Sequence, residues 1–215
     1  MSWFRRAVSP SFIKEYNHLD FNVWNKQSLQ ASEFVIIDAE TTGLGKKDQI
    51  ITIGAMVMKG YEIDLRILLD QTYSHEKGTD AAEIHGELPQ VSKKEKKVLI
   101  EELLDFVGNR VIVGHHISFD VSKVNQLISS VYKGFKLKNQ VIDTAQLLYR
   151  FNRDRYDNQV GGKSNLQLDI ACQDYGIPIE NRHTALGDAY MTAQLLMHLL
   201  SLATEKRIST LSELF

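Results

Sequence analysis

The chain has 215 residues, 43% of them hydrophobic, enough to enclose one sizeable core and too few to make two large domains the expected arrangement. Its 25 Lys and Arg against 27 Asp and Glu leave a formal net charge of −2, which excludes a global pull on polyanions or anionic membranes, so any such partner must be attracted locally. The single cysteine, Cys172, excludes an internal disulfide, and neither a membrane-spanning apolar run nor a signal-peptide core after the arginines of MSWFRRAVSP is present, so the expectation is a cytoplasmic protein without membrane contact.

Ser9-Pro10 has the form of an N-cap followed by a first-turn proline, and Phe12, Ile13, Tyr16 and Leu19 follow at helical spacing. Residues 1–31 read as a helical arm packed on the core, although Trp3, Phe4 and Trp24 are large enough to serve a docking face instead. A main domain over 32–204 and a tail over 205–215 complete the division. Phe34–Ile37 is an apolar strand, and IITIGAMVM and YEIDLRILL, divided by Lys59-Gly60, form a hairpin attached to it. A helix opening at Ser92 turns Leu99, Leu103 and Val107 one way and stops at Gly108. Its KKEKK run sets cations against the helix macrodipole and reads as a solvated face.

VIVG at 111–114 is a short buried strand, and DVSKVNQLISSVY continues as a helix. Gln140–Ile142 is another short strand, leading to Asp143 as the cap of the helix TAQLLYR. The stretch RFNRDRYDNQVGGK, 150–163, interleaves Arg150, Arg153, Arg155 and Lys163 with Phe151 and Tyr156. It reads either as a segment that tracks a nucleic-acid strand by phosphate pairing and base stacking or as a mobile solvated loop. Helices over 165–175, with Cys172 as a small buried residue, and over 184–203 close the chain. Strands in a meander, then alternating with helices, imply an α/β fold with a mixed sheet flanked by helices.

The chemistry starts where FVII runs into DAETTG. Carboxylates at a strand end cost desolvation energy unless opposite charge compensates them, and a divalent cation does so. Residues i and i+2 of an extended segment share a side, so Asp38 and Glu40 can converge on one ion while Ala39 faces away. Oxygen-only ligands suit Mg²⁺ or Mn²⁺ and not zinc. Alone, such a pair is equally a turn or capping feature. In VIVGHHISFD a strand delivers Asp120 to a helix start, where the macrodipole favours a carboxylate. In RHTALGDAY, His183 and Asp188 are five residues apart, about 140° around an ideal helix, so both reach one centre only if His183 stands on the loop before the helix.

The ordered set DAETTG, HHISFD and HTALGD resembles the DEDDh exonucleases, the proofreading epsilon-subunit family with its ribonuclease T and oligoribonuclease relatives, over residues 33 to 200. Position by position, the resemblance makes Asp38, Glu40, Asp120 and Asp188 the metal-binding acids and His183 the general base. It implies a ribonuclease-H-like fold, here a mixed five-stranded sheet flanked by helices, and stepwise 3′-to-5′ release of nucleoside monophosphates. His115-His116 replaces the His-Asn of many members, and Glu87-Leu88 replaces Ile-Thr in the segment AEIHGEL, which sets His85 between a substrate contact and a turn histidine. Thr41, Thr42 and Gly43 form a turn whose N–H groups can approach the terminal nucleotide, and His116 and Phe119 are further substrate-binding candidates.

These parts predict a two-ion phosphodiester hydrolysis, with Asp38, Glu40 and Asp188 holding one Mg²⁺ or Mn²⁺ on the attacking side and Asp38 and Asp120 holding a second on the leaving side. An ordinary imidazole, with pKa about 6.5, is substantially neutral near physiological pH, as a base such as His183 must be. The expected partner is a nucleic acid with a free 3′ end, single-stranded DNA first and RNA as the alternative. A DNA polymerase or sliding clamp is a further candidate, because the tail TLSELF faintly resembles clamp-docking peptides, although it lacks their usual glutamine and packing on the core is the favoured reading. Two other readings stand beside this one: a haloacid-dehalogenase-like phosphatase, whose D-x-D-x-T motif DAETT approximates, and a non-catalytic nucleic-acid-binding module on the same fold.

Overall fold

The computed structural model describes residues 11–73, 94–158 and 166–215. Strands β1 (Glu33–Thr41), β2 (Ile50–Lys59), β3 (Glu62–Thr72), β4 (Val111–Gly114) and β5 (Val141–Asp143) form one sheet in the order β3-β2-β1-β4-β5. The meander half is antiparallel, with Phe34 opposite Met58 and Asp38 opposite Gly54, whereas β4 and β5 run parallel to β1. This is the mixed five-stranded sheet that the strand pattern predicts. The β2–β3 hairpin turns at Gly60, whose φ of 54° suits a residue without a Cβ.

Helices cover both faces because β1 is apolar on both. Val35 and Ile37 pack with Ile53, Ala55 and Ile112 beneath α1 (Ser11–Asn17), α2 (Lys96–Val107) and α3 (Ser118–Val131). Phe34 and Ile36 pack with Met56, Met58, Val111 and Val113 beneath α4 (Thr144–Phe151), α6 (Leu168–Asp174) and α7 (Ala185–Glu205), with the short α5 (Arg153–Asn158) following α4. A central strand buried on both sides reads as a continuous apolar run, as FVII does. Cys172 is fully buried in the second layer, and burial pushes its thiol up to about 11.

Several boundaries differ from the sequence reading. Helix α1 stops at Asn17 and leaves Leu19 exposed, because the Asp20 carboxylate accepts the Asn22 N–H at 2.9 Å and draws the chain into a side-chain-bonded turn. Ile13 and Tyr16 are buried, and Trp24 donates its indole N–H to Asn109 O. Helix α2 starts at Lys96 after an extended Glu95, not at Ser92, which lies outside the described residues together with Ser9, Pro10, Trp3 and Phe4. Lys94 and Lys97 of the basic run pair with Glu102 and Glu101 at 2.5 and 3.9 Å. Helix α6 is shorter than the predicted 165–175.

The reading of 150–163 as a strand-tracking or solvated loop is corrected over its described part. Residues 153–158 are helical, Tyr156 is 1% exposed and Phe151 is also buried, so neither ring is available for base stacking. Arg150 donates to the carbonyls of Leu214 and Glu213.

The tail folds back as a 3-10 turn over Leu211–Glu213, with Leu211 and Leu214 buried. It pairs with the segment before β1: Leu29 N–H donates to Ser209 O (3.1 Å), Leu211 N–H to Gln27 O (3.2 Å) and Ser212 N–H to Asn25 O (3.2 Å). No described helix is long and apolar enough to cross a membrane.

Candidate active site

Alternation along β1 sends Asp38 and Glu40 to the face covered by α7, and Ala39 to the face covered by α3. Asp188 enters from the first turn of α7, whose N-cap Thr184 accepts the Gly187 N–H at 3.2 Å. Carboxylate oxygens of Asp38, Glu40 and Asp188 lie within 4.8 Å of one another. That proximity depends on Gly54, the β2 partner of Asp38: a Cβ there would stand 2.3 Å from Leu186 N and 2.4 Å from Ala185 C. The bare glycine lets the first turn of α7 lie directly on the sheet.

Asp120 comes from the other layer. It sits in the first turn of α3, 7% exposed, and its Oδ1 accepts the Ala39 N–H at 3.1 Å, so it flanks the three-acid cluster across the backbone of β1. His183 stands on the loop before Thr184 with φ 64°, exposed, while Asp188 is inside the helix, the division that the helical arc demands. All four acids gather at the C-terminal end of the parallel strands.

The second motif divides its histidines. His115 is held by Thr144 Oγ1 (2.9 Å) and Leu166 O (2.6 Å), and burial pushes its pKa down to about 4. His116, exposed with φ 55°, donates its backbone N–H to Asp143 Oδ1, the same oxygen that caps α4 through Ala145 N–H. Its ring faces a groove of about 800 Å³ lined also by Tyr149, Arg150 and Phe215. Phe119 is half-buried with the Lys123 ammonium 5.4 Å from its ring centre. Thr41 closes β1 with its hydroxyl on Gly43 O (2.8 Å), and Thr42 binds Asp48 Oδ1 (3.1 Å). Lys123, buried, donates to Gly45 O and Asp48 O at 2.6 and 2.7 Å and so ties the following turn to α3. His85 lies outside the described residues.

The electrostatics are those of a crowded anionic cluster that Arg182 compensates only in part. Burial, then repulsion from Asp120, Asp188 and Glu40, holds Asp38 well above the usual carboxylate range, with Arg182 opposing. Burial raises Asp120 to about 7 against the hydrogen bonds it accepts. Asp188 is also raised by burial, with the Arg182 guanidinium first and then the backbone N–H and charge of His183 pulling the other way. Asp188 Oδ1 is buried and accepts no hydrogen bond from any described residue. An all-oxygen donor set, close-set acids and an orphaned carboxylate oxygen fit a hard divalent cation.

Sequence reasoning missed Gly54, Lys123 and Arg182. A glycine inside the apolar run IITIGAMVM is a signal of close backbone approach. Arg182, beside His183, binds both Asp169 and Asp188, and nothing in their spacing announces that link.

A model of the RNase_T family, described as Exonuclease, matches residues 35–196. The chain is 32% identical over 211 residues to the DNA polymerase III PolC-type of Latilactobacillus sakei subsp. sakei (strain 23K), covering 93% of this chain and 13% of that protein. It is 29% identical over 189 residues to that of Bacillus subtilis (strain 168), covering 86% and 13%. It spans 11 to 14% of the length of the curated relatives it matches. Among solved structures, E. coli exonuclease I in complex with a dT13 oligonucleotide superposes with TM-score 0.64 at 16% identity, over 82% of this chain and 42% of that one. Exonuclease X in complex with 5′ overhanging duplex DNA superposes with TM-score 0.58 at 19% identity, over 80% and 93%.

Proposed function

Because the chain belongs to the DEDDh family of 3′–5′ exonucleases, whose model spans residues 35–196, we propose that it releases nucleoside monophosphates from the 3′ end of single-stranded DNA. The observation that carries this reading is the convergence of Asp38, Glu40 and Asp188 within 4.8 Å, with Asp120 beside them. Asp38, Glu40 and Asp188 would hold one Mg²⁺ or Mn²⁺ and Asp38 with Asp120 a second. When bound, such ions neutralise the phosphate and supply Lewis-acid chemistry at the scissile bond. Four carboxylates repel a phosphodiester, so metal loading precedes substrate.

His183 accepts the proton of the attacking water: it is exposed, on a loop fixed by the Asn181 and Thr184 bonds, and free of the core contacts that bury His115. The backbone after Glu40, at Thr41, Thr42 and Gly43, approaches the terminal nucleotide, while Phe119 and the groove that begins at His116 receive the residues behind it. DNA is favoured over RNA because the PolC-type relatives are DNA polymerases by name and two structural neighbours were solved with DNA. The names of the same relatives suggest a DNA polymerase as partner, and a sliding clamp rests on the tail TLSELF alone. Docking the tail on a clamp would first have to withdraw Leu211 and Leu214 from the core. The phosphatase reading gives Asp120 and Asp188 no role and falls with the family assignment.

The test is an assay of end-labelled single-stranded DNA, duplex DNA and RNA, each with Mg²⁺, Mn²⁺ or chelator, with products identified by mass. Metal-dependent 5′-mononucleotides, fastest from single-stranded DNA, are expected. Faster RNA degradation would transfer the activity to RNA trimming, and no mononucleotide with either metal would leave a binding module.

A further inference from the structure

Arg182 joins two carboxylates from different helices. Its Nε donates to Asp169 Oδ1 in α6, and its Nη1 donates to Asp188 Oδ2 in the first turn of α7. Asp188 is 4% exposed, and the two oxygens of its carboxylate are treated differently: Oδ2 is gripped by the guanidinium, while Oδ1 is buried without a partner among the described residues. A planar guanidinium fixes the direction of each bond it makes. The carboxylate is therefore locked in rotation with one oxygen free. Asp169 is a firm outer anchor, because its neighbours Leu168, Ala171 and Cys172 bury α6 in the core. The backbone around Arg182 is also set, with Asn181 and His183 both in the left-handed region (φ 50° and 64°) and Asn181 O bound by the Thr184 N–H and hydroxyl.

We infer that Arg182 is a positioning residue of the metal centre. By holding Asp188 Oδ2 it aims Oδ1 at the cation, and Asp169 keeps the guanidinium in place. The inference rests on the metal centre proposed above and adds to it a relay, Asp169–Arg182–Asp188, that none of the three sequence motifs contains. It also separates two roles that a cation beside acidic ligands can have. A positioning cation strengthens metal binding, whereas a mere substitute for the metal must be evicted and weakens it. The free Oδ1 favours the first, since a substitute would engage the oxygen that the metal needs.

The experiment is an equilibrium titration with Mn²⁺ followed by EPR, without nucleic acid, on the wild type, R182Q, R182K and D169N, with the fold of each metal-free variant checked by circular dichroism. Partners that orient metal ligands typically contribute about 10- to 100-fold in affinity. R182Q should therefore bind Mn²⁺ about 10- to 100-fold more weakly. D169N should lose less in the same direction, and R182K should fall between, since one ammonium cannot span both acids. R182Q with equal or tighter Mn²⁺ binding would overturn the inference while the wild-type titration still upheld the metal centre. A wild type that binds no Mn²⁺ would remove both. Should R182Q not fold, D169N, altered at a more exposed carboxylate, decides by the same sign.

Discussion

Adding one methyl group at Gly54 tests how the site is assembled. An ideal Cβ there would lie 2.3 Å from Leu186 N, 2.4 Å from Ala185 C and 2.6 Å from Leu186 Cα, all backbone atoms of the first turn of α7, where ordinary contact begins at 3.4 Å. The difference, 3.4 − 2.3, obliges the turn to retreat from the sheet by about 1.1 Å. The same turn carries Asp188, and Gly54 faces Asp38 across the β1–β2 ladder, so the retreat widens the 4.8 Å cluster. Overpacking of this kind costs about 1–3 kcal/mol, and a misplacement of about 1 Å at reacting groups costs about 100-fold in rate. Gly54→Ala should therefore unfold several degrees lower, bind Mn²⁺ more weakly and release mononucleotides about 100-fold more slowly even at saturating metal. Thermal unfolding, EPR titration and the end-labelled assay measure the three effects. A variant that melts lower yet keeps wild-type rate and metal affinity would refute the claim that this glycine sets the distance between the acids.

His183→Ala should lose about 10²- to 10⁴-fold in turnover with Mn²⁺ affinity retained, and near-normal rates would remove His183 from the mechanism. Asp120, raised to about 7 by burial, sits above its unfolded value of about 3.9, so its contribution to metal-free stability is full below about 3.9 and is lost as pH rises through about 7. His115, pushed down to about 4, acts oppositely, losing stability as pH falls below about 6.5, so the Asp120 effect is read as the wild type minus Asp120→Asn difference in melting temperature under chelator. A difference that grows in favour of the wild type toward high pH would contradict the assignment. Lys123→Met removes two charge-assisted bonds to Gly45 O and Asp48 O and should cost about 1.5–3 kcal/mol in denaturant melts, together with a higher KM for oligonucleotide. An unchanged or raised stability would mean that those bonds only offset the burial of the ammonium.

What the sequence displayed was local. The order of β1 to β5 follows from apolar runs and turn residues, and Asp38 and Glu40 share a side because a strand repeats every two residues. Relations between elements were hidden. Gly54 inside an apolar run signals a close backbone approach, but that the approaching element is the first turn of α7 is contained in no window of β2. Arg182, on the loop before α7, finds Asp169 thirteen residues back on α6, and nothing in the run between them marks the pair. Tyr156 was misread because Arg153, Asp154, Arg155 and Asp157 around it are charged, yet a short helix turns that one ring into the core. Leu19 kept helical spacing beyond the helix because Asp20 offered the backbone a competing bond.

The pairing of residues 25–29 with 209–212 has a mechanical consequence. Asn25 bonds Ser212 at the outer end and Leu29 bonds Ser209 at the inner end, next to the start of β1 and the end of α7. The ends of β1 and α7 that lie away from the acids are thereby tied to each other, so the strand carrying two of the acids and the helix carrying a third cannot part there without breaking three backbone bonds.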